Sequence, residues 1–191
     1  MNISITRVLF AILIASPLLL VSNPAGCAAE AASWKDILSD RTQLFGHRNW
    51  IVIVDSAYPA QSRDGIETIV TGAGQLEVLR QVLDTLEGMK HVRPKVYTDA
   101  ELPHVSEQDA PGIDSYRKDL AKALGQRPVL TLPHEGIIAK LDEAAKVFRV
   151  LILKTNSLLP YTSIFLELDC GYWNSDAEKR LRQSISKPAG N

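Results

Sequence analysis

The chain has 191 residues, a formal net charge of −1 and an aromatic content of 6%. Near-neutral charge lacks the basic footprint of nucleic-acid binding, and scattered aromatics form no platform for stacking bases. Of its two cysteines, Cys27 lies in the leader region, which leaves the mature chain a single thiol at Cys170, and no CxxC, HExxH or zinc-spaced cluster occurs, so neither an internal disulfide nor a metal site is expected.

Residues 1–31 have the shape of a secretory signal: Arg7, then an apolar run from Val8 to Val21 broken by Pro17, then small residues. The run is shorter than the roughly 20 residues of a membrane-spanning helix. Cleavage is expected at Cys27-Ala28-Ala29 or Ala29-Glu30-Ala31. Alternatively, Ala25-Gly26-Cys27 resembles the end of a lipobox, although Pro24 suits that motif poorly. The expected location is secreted or periplasmic, with membrane attachment only through a lipidated Cys27. Residues 32–191 are expected to form one domain, with 187–191 a disordered tail.

Ser33 to Phe45 reads as a first helix, with Ser33 as N-cap, Asp36 as its capping-box partner and Gly46 as its stop. Trp50 to Asp55 follows as a strand whose unbroken apolar run marks it as buried on both faces. Further strands are expected over 66–70, 92–97, 129–132, 149–153 and 162–168. Helices are expected over 75–89, 115–124, 134–146 and 176–185. Gly72-Ala73-Gly74 lacks the continuation of a phosphate loop and reads as a helix entry. The acidic stretch 98–112, with two prolines, reads as a surface loop or lid. Cys170 reads as a buried small hydrophobe. Alternating strands and helices imply an α/β protein with a largely parallel sheet.

Polar residues at strand ends are the candidates for chemistry: His47, Asp55, His134, Lys154, Tyr161 and Ser163. Each has an ordinary explanation alone, Asp55 as a turn residue and Tyr161 as a packing residue. His47 and Asp55 flank one strand, which separates them by about 25 Å if it runs straight.

Three segments together resemble the D-ribose pyranase / L-fucose mutarotase (RbsD/FucU) family. They are Gly46-His47 through Asp55 and Pro59 (GHxxxIVIxDxxxP), His134 at a helix start, and Thr155 to Leu166 (TxxxxPYxxIxL). The resemblance spans Ile37 to about Trp173. It implies a three-layer α/β/α fold, homo-oligomeric rings such as pentamers stacked as decamers, sites at subunit contacts, and no metal or organic cofactor. It also implies interconversion of the ring forms or anomers of a free monosaccharide. In that scheme His47 is the acid/base, Asp55 orients it or binds sugar hydroxyls, and His134 and Tyr161 bind the ring. A histidine suits such proton transfers because it titrates near working pH.

The chain departs from the family pattern at Lys154, Ser157 and Ser163, where an arginine, an acid and an asparagine are usual, and at Arg48-Asn49. Lysine lacks the planar fork of arginine, and a serine hydroxyl is shorter than an asparagine amide. The expected function is an exported mutarotase-like isomerase. The alternative is a non-catalytic, oligomeric carbohydrate-binding protein on the same scaffold.

Overall fold

The apolar run that the sequence marks as central is central. Strand β1 (Trp50–Val54) is buried at every position, with Ile51 to Val54 at 0% exposure. In this computed structural model the described residues are 32–186; the leader, the processing of Cys27 and the 187–191 tail lie outside them. The order along the chain is α1 (Trp34–Leu44), β1, β2 (Ile66–Val70), α2 (Gln75–Glu87), β3 (Val92–Asp99), a short 3₁₀ turn (Leu102–His104), α3 (Ile113–Leu124), β4 (Val129–Leu132), α4 (His134–Ala144), β5 (Val150–Lys154), β6 (Ile164–Cys170) and α5 (Ser175–Ser186). The capping box of α1 forms as expected between Ser33 and Asp36.

The strands form one sheet in the order β2-β5-β1-β6-β3-β4. β1 pairs with β5, β2 with β5 and β3 with β4 in parallel; β6 runs antiparallel to both β1 and β3. The sheet is therefore largely parallel with one reversed strand. Alternate side chains enter two different cores, as the period of a strand requires. Ile51, Ile53, Leu151, Leu153 and Leu166 pack with α1, α2 and α3. Trp50, Val52, Val54, Ile152 and Phe165 pack with Ile137 and Leu141 of α4. These are the two outer layers of an α/β/α sandwich.

β3 runs further than the sequence suggested and takes Thr98 and Asp99 into the sheet, both buried. Pro94 lies within β3 without breaking a ladder there, because β4 covers only Val96 to Asp99. The acidic stretch after it is not a free lid. Leu102 and Ala110 are buried, and the Arg117 guanidinium donates to the carbonyls of Leu102 (2.9 Å) and Val105 (2.8 Å). Glu107 caps α3, accepting from the N–H groups of Gly112 (2.6 Å) and Asp114 (2.9 Å). Cys170 is half-buried rather than fully enclosed; it ends β6, opposite Val92 at the start of β3.

Helix α4 is held to the sheet by more than its apolar face. The Lys140 ammonium lies 5.1 Å from the Trp50 ring centroid and 5.6 Å from that of Tyr97, and donates to Glu167 (3.2 Å). The Tyr97 hydroxyl donates to the same carboxylate (2.8 Å), and burial together with that bond pushes its pKa up to about 12.

Gly65 marks where the loop before β2 passes against the α4–β5 connection. A Cβ there would stand 2.2 Å from the Ala145 carbonyl oxygen, and backbone cannot yield as a side chain can. Gly65→Ala is expected to cost about 1–3 kcal/mol in urea unfolding. Gly46→Ala, where a Cβ meets nothing within 4 Å, is expected to leave the midpoint within experimental scatter.

Candidate functional site

A cleft of about 510 Å³ opens at the carboxyl ends of the strands, where open α/β sheets place ligands. Three connections build it. The turn after β1 supplies Asp55, Tyr58 and Gln61; the start of α4 supplies His134, Glu135 and Ile138; the segment before β6 supplies Leu158 to Tyr161.

His134 is the most constrained of these residues. Its Nδ1–H donates to Oδ1 of Asp99 (3.0 Å), a carboxylate with 0% exposure at the end of β3. Its backbone N–H donates to the Glu101 carboxylate (3.0 and 3.1 Å). Helix α4 begins after Pro133 and has no side-chain cap of its own, so Glu101 caps it from another loop. That bond draws the Glu101 carboxyl below its ordinary range. Asp99 moves the other way: burial raises its pKa, and His134 opposes the rise. With Nδ1 committed to a carboxylate, Nε2 is the ring nitrogen without a hydrogen-bond partner among the described residues, on a ring that lines the cleft.

The Asp55 Oδ1 accepts from the Ala57 N–H (2.8 Å), the turn role the sequence suggested, and Oδ2 has no protein partner among the described residues. Lys154 does not line the cleft. Its ammonium donates to the Tyr58 carbonyl (2.8 Å) and fastens this turn over the end of β5. Tyr161 is 42% exposed and stands edge-on to His134, with ring centroids 5.6 Å apart at 89°. Its φ of +55° is in the left-handed region, unusual for an aromatic residue. Anchors beneath hold that conformation: the Tyr116 hydroxyl donates to the Thr162 carbonyl (2.8 Å), as does the Gln75 side-chain amide. Ser163 is 2% exposed and lies below the cleft rather than on its wall.

The structure thus brings Asp55, His134 and Tyr161 together. His47 is exposed in the loop before β1, at the opposite end of the strand from Asp55, so one chain does not unite that pair. The sequence reading missed Asp99, Tyr58 and Gln61. Asp99 had a usable signal: Val96-Tyr97-Thr98-Asp99 repeats the pattern of Ile53-Val54-Asp55, a strand ending in aspartate.

Three buried side-chain polar atoms have no hydrogen-bond partner among the described residues: Tyr58 Oη, Gln61 Oε1 and Asp99 Oδ2. Two belong to residues lining the cleft, and the third belongs to the carboxylate that holds His134. These atoms are closed to solvent, so they are an energetic cost carried behind the cleft wall rather than groups presented on it. Burial, with Asp142, Asp99 and Asp55 nearby, pushes the Tyr58 hydroxyl up to about 12, so it stays a donor at neutral pH.

No family model matches the chain, and no curated protein matches it. Among solved structures it is similar to Bacillus subtilis RbsD complexed with D-ribose, at 19% identity over 76% of this chain and 98% of the other, with a TM-score of 0.48. It is also similar to the fucose mutarotase from Streptococcus pneumoniae in complex with L-fucose (20% identity, 67% and 87% coverage, TM-score 0.45). A third is FucU from Bifidobacterium longum (17% identity, 67% and 90% coverage, TM-score 0.44).

Two substitutions test the electrostatics of the cleft. Because the Asp99 pKa is raised in the fold, its ionised form destabilises the fold; that cost is complete above the folded pKa and disappears below the ordinary value of 3.8. Asp99→Asn, which can still accept from His134, is expected to raise stability by about 1 kcal/mol at neutral pH. The gain should disappear below pH 3.8 in paired urea melts. Tyr58→Phe removes a buried hydroxyl that has no partner, and thermal melts should show the variant as stable as the parent or more so.

Proposed function

We propose that the cleft binds a free monosaccharide and catalyses exchange between its ring forms or anomers. The observation that supports this most is the His134 ring, held through Nδ1 by the buried Asp99 and standing with Asp55 and Tyr161 on the wall of one cleft. A sugar hydroxyl both donates and accepts, which suits a wall carrying the Asp55 carboxylate, the His134 imidazole and the Tyr161 hydroxyl. The apolar side of the cleft, Ile138, Leu158 and Leu159, suits the C–H face of a pyranose. The bound ribose and fucose of the similar solved structures belong to the same ligand class.

In this proposal His134 Nε2 takes the proton of the anomeric hydroxyl. The bond from the anomeric carbon to the ring oxygen breaks, its electron pair stays on that oxygen, and the oxygen gains a proton from a donor in the cleft. The resulting carbonyl is attacked on its other face, or by another hydroxyl, with the protons returned. Asp99 acts as a positioning residue, fixing the tautomer and stabilising the imidazolium that forms.

A second reading gives the acid/base role to His47 of a neighbouring copy, as the sequence resemblance implies. Charge polarity favours it: the strand-end connections around the cleft carry Asp55, Glu101, Glu107, Asp109 and Glu135 against two cations reaching in from neighbouring elements, Lys154 and Arg117, whereas Arg48, Arg63 and Arg149 surround the other end of the sheet.

Magnetisation-exchange NMR on the purified chain with ribose, fucose, galactose and glucose tests both readings. The first expects an exchange rate above buffer that falls about 10²–10⁴-fold in His134→Ala and persists in His47→Ala. Equal loss in both variants, restored when they are mixed, would transfer the acid/base role to a second copy. Saturable binding without exchange would leave a carbohydrate-binding protein. Neither exchange nor binding with any sugar would remove the proposal.

A further inference from the structure

The pole of the molecule opposite the cleft has a composition that its fold does not explain. The register places Trp50, Ile66 and Val150 in one row at the start of their strands, with Val92 and Cys170 beyond them. The connections that meet there, 46–49, 63–65, 88–91, 145–149 and 171–173, carry five cations (Arg48, Arg63, Lys90, Lys146, Arg149) and one acid, Asp64. Among the described residues Arg48, Arg63 and Lys90 have no carboxylate partner. Arg149 bonds a backbone carbonyl, and only Lys146 is paired, with Glu143.

Large apolar side chains stand exposed among these cations. Val147, between Lys146 and Arg149, is 78% exposed and Tyr172 is 79% exposed; Trp173 is 43% exposed, with its indole N–H donating to Glu178 of α5 (2.8 Å). Arg48 is held at φ +74°, a left-handed conformation rare outside glycine, and its guanidinium lies over the Phe148 ring at 5.8 Å. The strain is maintained by the 2.7 Å bond from its N–H to the Leu168 carbonyl.

We propose that this pole docks on an anionic lipid surface, with Arg48, Arg63, Lys146 and Arg149 at the headgroup phosphates and Val147, Tyr172 and Trp173 inserted at the interface. Interleaved cations with aliphatic and aromatic side chains match the two components of such a surface, charge outside and hydrocarbon beneath. The acidic rim of the cleft is repelled by the same surface, so the charge distribution orients the molecule with the cleft towards the aqueous phase. An anionic pole of a second copy is the competing occupant. Lipid is favoured because the side chains between the cations are apolar and include a tryptophan and a tyrosine, the pair enriched at bilayer interfaces.

Sedimentation of the full chain with two kinds of vesicle tests the proposal: phosphatidylcholine alone, and phosphatidylcholine with phosphatidylglycerol in equal parts. The apolar leader is common to every variant, so comparisons between variants isolate the pole. Arg48→Gln with Arg149→Gln should weaken partitioning onto the anionic vesicles by about fivefold for each cation removed, hence about 25-fold together. Binding to the neutral vesicles should not change with that pair. Val147→Ser should weaken binding to the anionic vesicles without altering its salt dependence. Circular-dichroism melts matching the parent exclude misfolding as the cause. Equal partitioning of the parent and the double variant would overturn the proposal. So would a salt-sensitive self-association, present without vesicles and lost in the double variant, which would assign the pole to a second copy.

Discussion

The cleft depends on one tie between distant parts of the chain, the grip of Asp99 and Glu101 on His134. Both acids leave the end of β3, and both reach the first residue of α4. Glu101 takes the backbone N–H and replaces the missing cap of the helix; Asp99 takes the ring and fixes its orientation. Without the first, the His134 N–H would lose its acceptor and only Glu135 would offset the positive end of α4. Without the second, the imidazole could turn from the cleft. The burial of Asp99 raises its pKa, so the arrangement includes an energetic cost that the rest of the fold supports.

That support comes from the two-faced sheet. β1 and β5 are apolar on both sides because each face is covered by helices, and neither strand can shift without moving its side chains between cores. The turn after β1 is fastened by Lys154 and the turn before β6 by Gln75, Thr155 and Tyr116, so both walls of the cleft rest on strand ends rather than on free loops. Tyr161 tolerates a left-handed backbone because these anchors surround it, an instance of local strain concentrated at the candidate site.

A parallel arrangement also sorts the connections by end. Residues that follow strands collect at one pole and residues that precede them at the other, so acidic turns and basic turns become two fields of opposite sign on a chain of net charge −1. The near-neutral total, which gave no reason to expect a nucleic-acid partner, conceals this separation.

Local physics made much of this legible in the sequence. The apolar runs of β1 and β5, the amphipathic face of α2 and the Ser33–Asp36 box each have causes within a few residues, and they determined the elements and the α/β class. Asp55, His134 and Tyr161 were legible as candidates because each sits next to a strand end or a turn proline. Only the tertiary structure could decide the rest. Asp99 became a partner of His134 through 35 positions of intervening chain, and Glu107, which composition assigned to a lid, became a helix cap. Lys154 and Ser163 stand beside the cleft in sequence but not on its wall, and His47 stands at the far end of the strand that ends in Asp55. Sequence pattern records which residues are near a strand end; which end of the sheet that is, and which side chains meet there, depends on strand order and direction, set by non-local packing.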